Sequence, residues 1–414
     1  MQEKKEHMPR CTGLKAAGVP VFIGLLAVSA SVHALPPWSV HPTFSVRAGV
    51  HDNVNLREDD KGTTYEGSVS VGAILEQVSE VHQLRATGIV GYRGFGGDTD
   101  ATDDGDFQSL LGEAGYRTER TTSRVTLALD RDFTRADIAV PTDEVDPGAD
   151  IDTVRVEEFV RRYRARLNPS IDRSLTERWS VGAAYTGLYL DYDEEDVTRT
   201  GVLNHEVSTR SGYSLSEITT VGLGVHGGFF RPRGITGDRR GVDTYALIAD
   251  LQHEFTELST LRMTGGVRRS EPRGRGDIDD DTGFLGSIEG TTRGQRWQAT
   301  ATLSRRLLPS SIGVLRETDQ IRLRVSRELA PRLDAALDAR AFKTRSLGRT
   351  GDDESTQEYA SLLPSVTYML TREWSITGEY RFEYIDRSER EGNARGHAVF
   401  VSIDFRPRRE AVGF

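Results

Sequence analysis

The sequence predicts an all-β protein, a transmembrane antiparallel up-and-down β-barrel of about 18 strands (16–18). Two observations predict this fold. From about Thr43 to Phe405 the chain consists of short segments in which apolar and polar residues alternate, which is the period of a strand with one apolar face. The connections between these segments alternate between short and long, as in barrels with tight periplasmic turns and long external loops.

The N-terminal residues have the layout of a secretory signal peptide. Basic residues between positions 4 and 15 precede the apolar run 16–30, and Val32-His33-Ala34 follows with small or compact residues at the cleavage positions. A transmembrane anchor is the alternative, but the run is shorter than the ~20 apolar residues that a spanning helix needs. We therefore expect a signal peptide over residues 1–34 and an outer-membrane barrel over residues 35–414.

Composition excludes several classes of function. Cys11, the only cysteine, lies in the expected signal peptide, so disulfides, thiolate metal sites and cysteine nucleophiles are not expected. The formal net charge of −10 argues against nucleic-acid binding. A charged fraction of 28% and a mean hydropathy of −0.47 are also typical of soluble proteins. They do not exclude a barrel, because only every second residue of a strand meets lipid.

A soluble β-sandwich would also alternate apolar and polar residues, with its apolar face turned inward. In residues 65–76, for example, odd positions are mostly apolar and even positions are mostly polar, with Ile74 as the exception. The sandwich, however, gives no reason for connections to be sorted by length. The sorting therefore favours the membrane barrel.

The polar faces of the segments carry rows of Arg with interspersed Glu and Asp, which predict a charged lumen. Arginine presents a planar fork of donors that suits carboxylates and phosphates. One interpretation is a conduit for an anionic solute or polysaccharide; the other is that these charges pair across the lumen and rigidify it. The candidate pore-lining residues are Arg85, Arg162, Arg164, Arg262, Arg322, Arg324, Arg340, Glu379, Arg381 and Glu383.

Two loops are long enough to fold inward as a constriction, Gly94–Asp106 and Ala136–Thr153. Several loops are acidic, and Asp277–Asp281 has carboxylates that could bind Ca²⁺. That run lacks the glycine and the distant glutamate of an EF-hand, so a solvated loop is the expectation. No metal site and no cofactor are expected.

Trp179, Trp297 and Trp374 each begin an alternating segment directly after a short connection. Three tryptophans in the same register predict an aromatic belt at one membrane interface. Ordinary core tryptophan is the alternative.

Catalytic residues are not expected. Histidines after the signal peptide are scattered over the segments, and none lies in a G-x-S-x-G or comparable frame. Asn204-His205 and His51-Asp52-Asn53 are the combinations closest to a catalytic pair. The sequence therefore predicts a protein that is not an enzyme.

Two stretches resemble known families. His41 through Gly49, continuing to His51-Asp52-Asn53-Val54, resembles the opening of the β-barrel porin 2 family. Leu303-Ser304-Arg305-Arg306 with Pro309-Ser310-Ser311 and Gly313, and then the strand pair to Arg345, is similar to a hairpin of outer-membrane proteins linked to exosortase and exopolysaccharide gene clusters. The resemblance implies an outer-membrane barrel serving polysaccharide or surface-protein export, without catalytic residues.

The expected function is passive passage or assisted export of a hydrophilic substrate, with exopolysaccharide as one candidate, across the bacterial outer membrane. Expected partners are outer-membrane lipid, the barrel assembly machinery and polysaccharide export components. A terminal Phe is expected for recognition by that machinery, and either Phe405 or Phe414 could serve, so Arg406–Phe414 is either a tail or part of the last strand. The alternatives are a non-conducting structural or adhesive barrel and, less favoured, an outer-membrane hydrolase.

Overall fold

The computed structural model describes residues 38–54, 56, 62–97, 105–135, 159–192, 200–233, 241–273, 280–309, 314–346, 356–387 and 393–407. The expected signal peptide lies outside these residues and stays a prediction. Within them, no helix is long and apolar enough to span a bilayer.

The described residues form eighteen strands of 13 to 16 residues. They are Ser39–His51 (β1), Thr64–Val78 (β2), His82–Gly97 (β3), Gly105–Arg117 (β4), Thr121–Arg135 (β5), Phe159–Ser174 (β6), Trp179–Tyr192 (β7), Gly201–Ser216 (β8), Thr219–Arg233 (β9), Gly241–Thr256 (β10), Ser259–Arg273 (β11), Asp281–Arg293 (β12), Trp297–Pro309 (β13), Leu315–Ala330 (β14), Leu333–Ser346 (β15), Thr356–Met369 (β16), Trp374–Arg387 (β17) and Asn393–Phe405 (β18).

The strands close into one up-and-down barrel. Each strand pairs antiparallel with its neighbours in the chain, and β1 pairs with β18 from Phe44 opposite Phe405 to His51 opposite Ala398. Closure pairs the backbone groups of the wall with one another, as a bilayer without water requires. The predicted fold class and strand number are confirmed.

The short turns are specified locally by Ser and Thr. Thr176 Oγ1 accepts a hydrogen bond from the backbone N–H of Trp179 at 3.0 Å, and Thr371 Oγ1 accepts one from Trp374 at 3.1 Å. Ser79 Oγ accepts from the N–H of His82 at 3.0 Å. These side chains satisfy a backbone donor that would otherwise be free at the start of the next strand.

The outer face of the barrel is apolar. Leu223, Leu247 and Val267 lie on β9, β10 and β11 and are 63%, 57% and 60% exposed. Leu247 lies opposite Val225 on one side and Val267 on the other. Large apolar side chains this exposed on adjacent strands are stable in lipid and would be a liability in water.

Replacing Leu247 with arginine should lower the free energy of unfolding by about 2–4 kcal/mol, because it places a charge on the lipid face midway along β10. Denaturant titration of the barrel refolded in lipid vesicles measures this loss. Ser208→Arg, on the inner face of β8, is the matched control and should change stability by only about 0.5 kcal/mol. Equal losses would contradict the assignment of the two faces.

The barrel lumen as candidate functional site

The inner wall carries ion pairs between neighbouring strands. Asp338 on β15 lies opposite Arg324 on β14 and receives hydrogen bonds from both Arg322 and Arg324, at 2.6 and 3.0 Å. Arg340 donates to Ser361 Oγ at 2.9 Å. These side chains share a face because directly opposed residues of an antiparallel pair point the same way. The lumen wall is therefore charged but largely internally paired at this level.

All ten predicted pore-lining residues occupy inward-facing positions of their strands. Arg85 approaches Glu113 at 4.0 Å, Arg162 and Arg164 pair with Asp132 and Asp130, and Tyr359 donates to Glu383 at 2.7 Å. Their register places them in the lumen, but a role in permeation stays a prediction. The residues are Arg85, Arg162, Arg164, Arg262, Arg322, Arg324, Arg340, Glu379, Arg381 and Glu383.

Phe400 of β18 organises a cationic patch on the wall. The guanidinium carbon of Arg47 lies 3.8 Å from the centre of the Phe400 ring, and that of Arg381 lies 5.1 Å from it. Both arginines reach Glu379 Oε1, at 2.8 and 3.3 Å. Stacking on an aromatic face and pairing with one carboxylate hold two like charges close together.

A cavity of about 630 Å³ lies against the inner wall between β11 and β17. Its lining combines charges with short hydroxyl and amide side chains. The residues that give it this character are Arg262, Glu289, Arg293, Gln298, Thr300, Thr302, Arg322, Arg324, Asp338 and Glu379. Such a surface offers many hydrogen-bond donors and acceptors and suits a hydrated, hydroxyl-bearing or charged solute.

The end of the β13–β14 hairpin leaves the wall and lies inside the barrel. The β12–β13 ladder ends at Gly286 opposite Arg305, whereas the β13–β14 ladder continues to Pro309 opposite Leu315. Leu315 and the partly buried Leu307 pack into an apolar cluster on the inner wall. The wall residues of this cluster are Leu188, Leu190, Val202, Phe230 and Val242.

A buried carboxylate ties this hairpin to the wall. Glu317 of β14 is 3% exposed and receives a hydrogen bond from Nη2 of Arg268 on β11 at 2.7 Å. Arg345 also pairs with Glu317, and Arg305 Nε lies 3.7 Å from it. Because β12 and β13 separate β11 from β14 along the wall, the Arg268–Glu317 contact can form only with the hairpin end inside the barrel.

Described residues directly after β1 also lie inside the barrel. Asn53 Nδ2 donates to the carbonyl of Arg395 at 3.1 Å, and Leu56 is fully buried. Leu56 has a φ of 47°, in the left-handed region, which costs about 1–2 kcal/mol for a side chain of this kind. A Cβ on Gly396 would come within 2.9 Å of Leu56, so glycine is needed for the close approach. Leu56 packs with Phe342, Tyr359, Ile385 and Ala394.

The predicted constriction loops lie largely outside the described residues. Gly94–Gly97 belongs to β3 and Gly105–Asp106 to β4, while residues 98–104 and 136–153 are not described. Their role stays a prediction. The inward hairpin was not predicted, although one signal for it exists: Arg305, Glu317 and Asp319 put charge on the outward-facing register of β13 and β14.

Asp277–Asp279 of the acidic run also lie outside the described residues. Asp280 pairs with Arg269 and Asp281 with Arg268, each at 2.6 Å. Across the part of the chain that the structure describes, no group of three or more His, Cys, Asp or Glu side chains is placed to hold a metal ion.

The three predicted belt tryptophans lie at the starts of β7, β13 and β17 on the outward register. Trp179 and Trp297 are 48% and 44% exposed. Trp179 packs against Tyr213 in a tilted arrangement with 4.8 Å between ring centres, and Trp374 packs against Phe405 in the same way at 5.0 Å. They share the barrel end that carries the short turns; their assignment to a membrane interface stays a prediction.

No protein-family model and no curated protein sequence matches this chain. Solved structures with a similar course of the chain include a BenF-like porin from Pseudomonas fluorescens Pf-5, with TM-score 0.48, 10% identity and coverage of 89% of this chain and 99% of that one. Pseudomonas aeruginosa OccK2 (OpdF), in complex with glucuronate, gives the same values. The P. aeruginosa outer membrane protein opdK has TM-score 0.46, 8% identity and coverage of 89% and 99%. Likeness at this level carries no argument about substrate.

The architecture itself decides the location. A closed barrel with an even number of strands, an apolar exterior and a charged interior is the arrangement by which β-structure spans an outer membrane. The protein is a bacterial outer-membrane β-barrel of porin-like architecture.

Proposed function

We propose that the barrel is a passive channel for small hydrophilic solutes. The observation that carries this proposal is the cavity of about 630 Å³, lined by arginines, carboxylates and hydroxyl groups, on the inner wall of an 18-stranded barrel. Barrels of 16 to 18 strands are wide enough for an aqueous passage. The two inward segments narrow the end that carries the long loops, which favours small solutes over bulky ones.

Planar-bilayer recordings of the purified barrel test the proposal. Discrete single-channel steps are expected in simple salt, because hydrated ions can follow a charged lumen. A barrel that inserts but never conducts, with or without an applied potential, would sink the channel proposal.

Neutralising two cavity arginines should shift ion selectivity. In Arg262→Gln combined with Arg324→Gln, anions lose two attractive charges on the inner wall, so the channel should become less anion-selective. The reversal potential under a salt gradient measures this shift. Arg332→Gln, in the short turn between β14 and β15, is the matched control and should leave the reversal potential unchanged. An equal shift in both variants would contradict the path through this cavity.

A non-conducting structural barrel is the second candidate. It is favoured by the two apolar clusters around Leu56 and Leu315, which occupy space inside the barrel. Solute uptake into vesicles discriminates the two candidates, because a sealed barrel excludes even small sugars that a channel of this strand number admits.

Export of exopolysaccharide is the narrower proposal, and its support is the resemblance of Leu303–Gly313 to the exopolysaccharide-linked hairpin. Under this proposal the partners of the barrel are polysaccharide export components, outer-membrane lipid and the barrel assembly machinery. Co-purification of the barrel with such components from its native membrane is expected under this proposal. Normal surface polysaccharide in a strain lacking the barrel would count against it.

A further inference from the structure

We infer that the end of the β13–β14 hairpin is a gate, which exchanges its contacts inside the barrel for a ladder with β12. The inference rests on the proposed channel function for its consequence, but not for its geometry. The moving part consists of Arg305–Pro309 and Leu315–Thr318, and the fixed parts are β12 and the inner wall of β7 to β11.

The first observation is a free strand edge. Asp281–Leu285 of β12 faces β11 on one side, with Asp281 opposite Ser270 and Phe284 opposite Val267. On its other side the described residues place no ladder partner beyond Gly286 opposite Arg305. A strand edge with unpaired N–H and C=O groups is a ready template for another strand.

The second observation is that β13 matches this edge in register. Extending the ladder beyond Gly286–Arg305 places Arg306 opposite Leu285 and Leu307 opposite Phe284. Phe284 and Ile288 are exposed on the outer face, and Leu303 lies opposite Ile288 on that face. Leu307 would therefore fall beside Phe284 on the outside and Arg306 would point inward. β13 can therefore extend its ladder with β12 without changing register. A change of register would move every side chain of the strand to the opposite face and so prevent re-pairing.

The third observation is that the docked hairpin end is packed loosely against the inner wall. Its β14 arm stays paired with β15, from Arg316 opposite Ser346 to Thr318 opposite Thr344. The contacts that hold it inward include those of Leu307 and Leu315 with the apolar cluster and the Arg268–Glu317 pair. A cavity of about 300 Å³ remains between the hairpin and the wall. Its lining includes His226, Phe230, Leu285, Arg306 and Leu308. A permanent plug would be expected to fill such a space, because protein interiors are close-packed.

The docked and the re-paired hairpin are stabilised by different interactions, so neither arrangement has every gain. Docking buries apolar side chains and pairs Glu317; re-pairing gains backbone hydrogen bonds along β12 and removes Leu307, Leu315 and Glu317 from the lumen. Two discrete arrangements with opposing gains form the kind of bistable element that gates a passage. Re-pairing would widen the end of the barrel that carries the long loops.

A disulfide trap tests the inference. Phe284→Cys combined with Leu307→Cys places the two thiols opposite each other only in the re-paired ladder, at a separation suitable for a bond. In the docked structure Phe284 lies on the outer face and Leu307 in the inner cluster. Because Cys11 is the only native cysteine, introducing both cysteines into a Cys11→Ser variant excludes any other disulfide within the chain. Phe284→Cys with Leu303→Cys is the matched control, because Leu303 lies opposite Ile288, four residues away from Phe284 along β12.

Oxidation of the folded barrel should cross-link the first pair and not the control pair, read by thiol-alkylation mass. Adding Glu317→Gln should increase the cross-linked fraction, because it removes the charge that pairs with Arg268 in the docked arrangement. Glu358→Gln, from the exposed Lys343–Glu358 pair, should leave that fraction unchanged. No cross-link in the correctly folded double variant, with or without Glu317→Gln, would overturn the gate.

Conductance separates this inference from the proposed function. The cross-linked barrel should show a shift to a larger conductance level that reverses on reduction. A barrel that cross-links but never conducts supports re-pairing of the hairpin and contradicts the channel, whereas a conducting barrel that never cross-links contradicts re-pairing alone.

Discussion

Replacing Asp130 with alanine is expected to lower the free energy of unfolding by about 3–5 kcal/mol, the cost of breaking a buried ion pair from one side. Asp130 and Arg164 are 5% and 3% exposed and lie 2.9 Å apart on the inner wall. Ser109 donates to the other oxygen of Asp130 at 2.8 Å. The variant removes the carboxylate that pairs with a buried guanidinium and accepts a hydrogen bond from a half-buried hydroxyl. Denaturant titration in lipid vesicles measures the loss.

The matched control is Glu358→Ala. Glu358 pairs with Lys343 at 2.8 Å, but the two side chains are 53% and 58% exposed. Exposed pairs contribute only about 0–1 kcal/mol, because water screens them and both side chains lose freedom. Similar losses of unfolding free energy in the two variants would show that the Asp130–Arg164 pair is hydrated like a surface pair. That result would contradict an ordered wall of buried ion pairs.

The strands could be predicted because the membrane imposes a simple rule on each of them. One face meets lipid and the other meets the lumen, so a run such as Tyr65–Leu75 shows its structure in its own residues. Short turns are equally local, since Ser79, Thr118, Thr176 and Thr371 each accept a backbone hydrogen bond three residues later. The Arg positions of the lumen follow from the same alternation.

Partners across long connections could not be predicted in this way. Arg162 and Arg164 were placed in the lumen, but their pairing with Asp132 and Asp130 depends on the register of β6 against β5. Residues 136–158 join these strands, and a connection of that length does not set the register as a short turn does. The pairing is decided by contacts between strands that the local pattern does not contain.

The inward hairpin escaped prediction for a related reason. Loop length directed attention to Gly94–Asp106 and Ala136–Thr153, whereas the described residues bring a short hairpin inside. Apolar and polar residues stop alternating at Arg305, but alternation also stops where a strand passes into an external loop. Its loss alone therefore does not show that the hairpin turns into the barrel. Charge on the outward register, at Arg305, Glu317 and Asp319, is the feature that marks the change.

Truncating Leu56 to alanine is expected to cost about 2–5 kcal/mol, the range for removing a fully buried leucine side chain. Leu56 has no exposed surface and fills the cluster formed by Phe342, Tyr359, Ile385 and Ala394. Its backbone is held in the left-handed region at φ 47°. Alanine keeps that unfavourable backbone while losing the packing that offsets it, so the segment after β1 should release from the wall.

Two measurements separate local release from loss of the barrel. Protease cleavage within residues 52–63 and a larger channel conductance are expected for Leu56→Ala, because the segment then leaves the lumen while the strand ladders persist. Leu258→Ala is the matched control: Leu258 is 56% exposed in the turn between β10 and β11, and its truncation should change stability by about 0.5 kcal/mol or less. If Leu56→Ala left stability, cleavage and conductance at the values of the unaltered barrel, the segment after β1 would not be an obstruction held in place by its leucine.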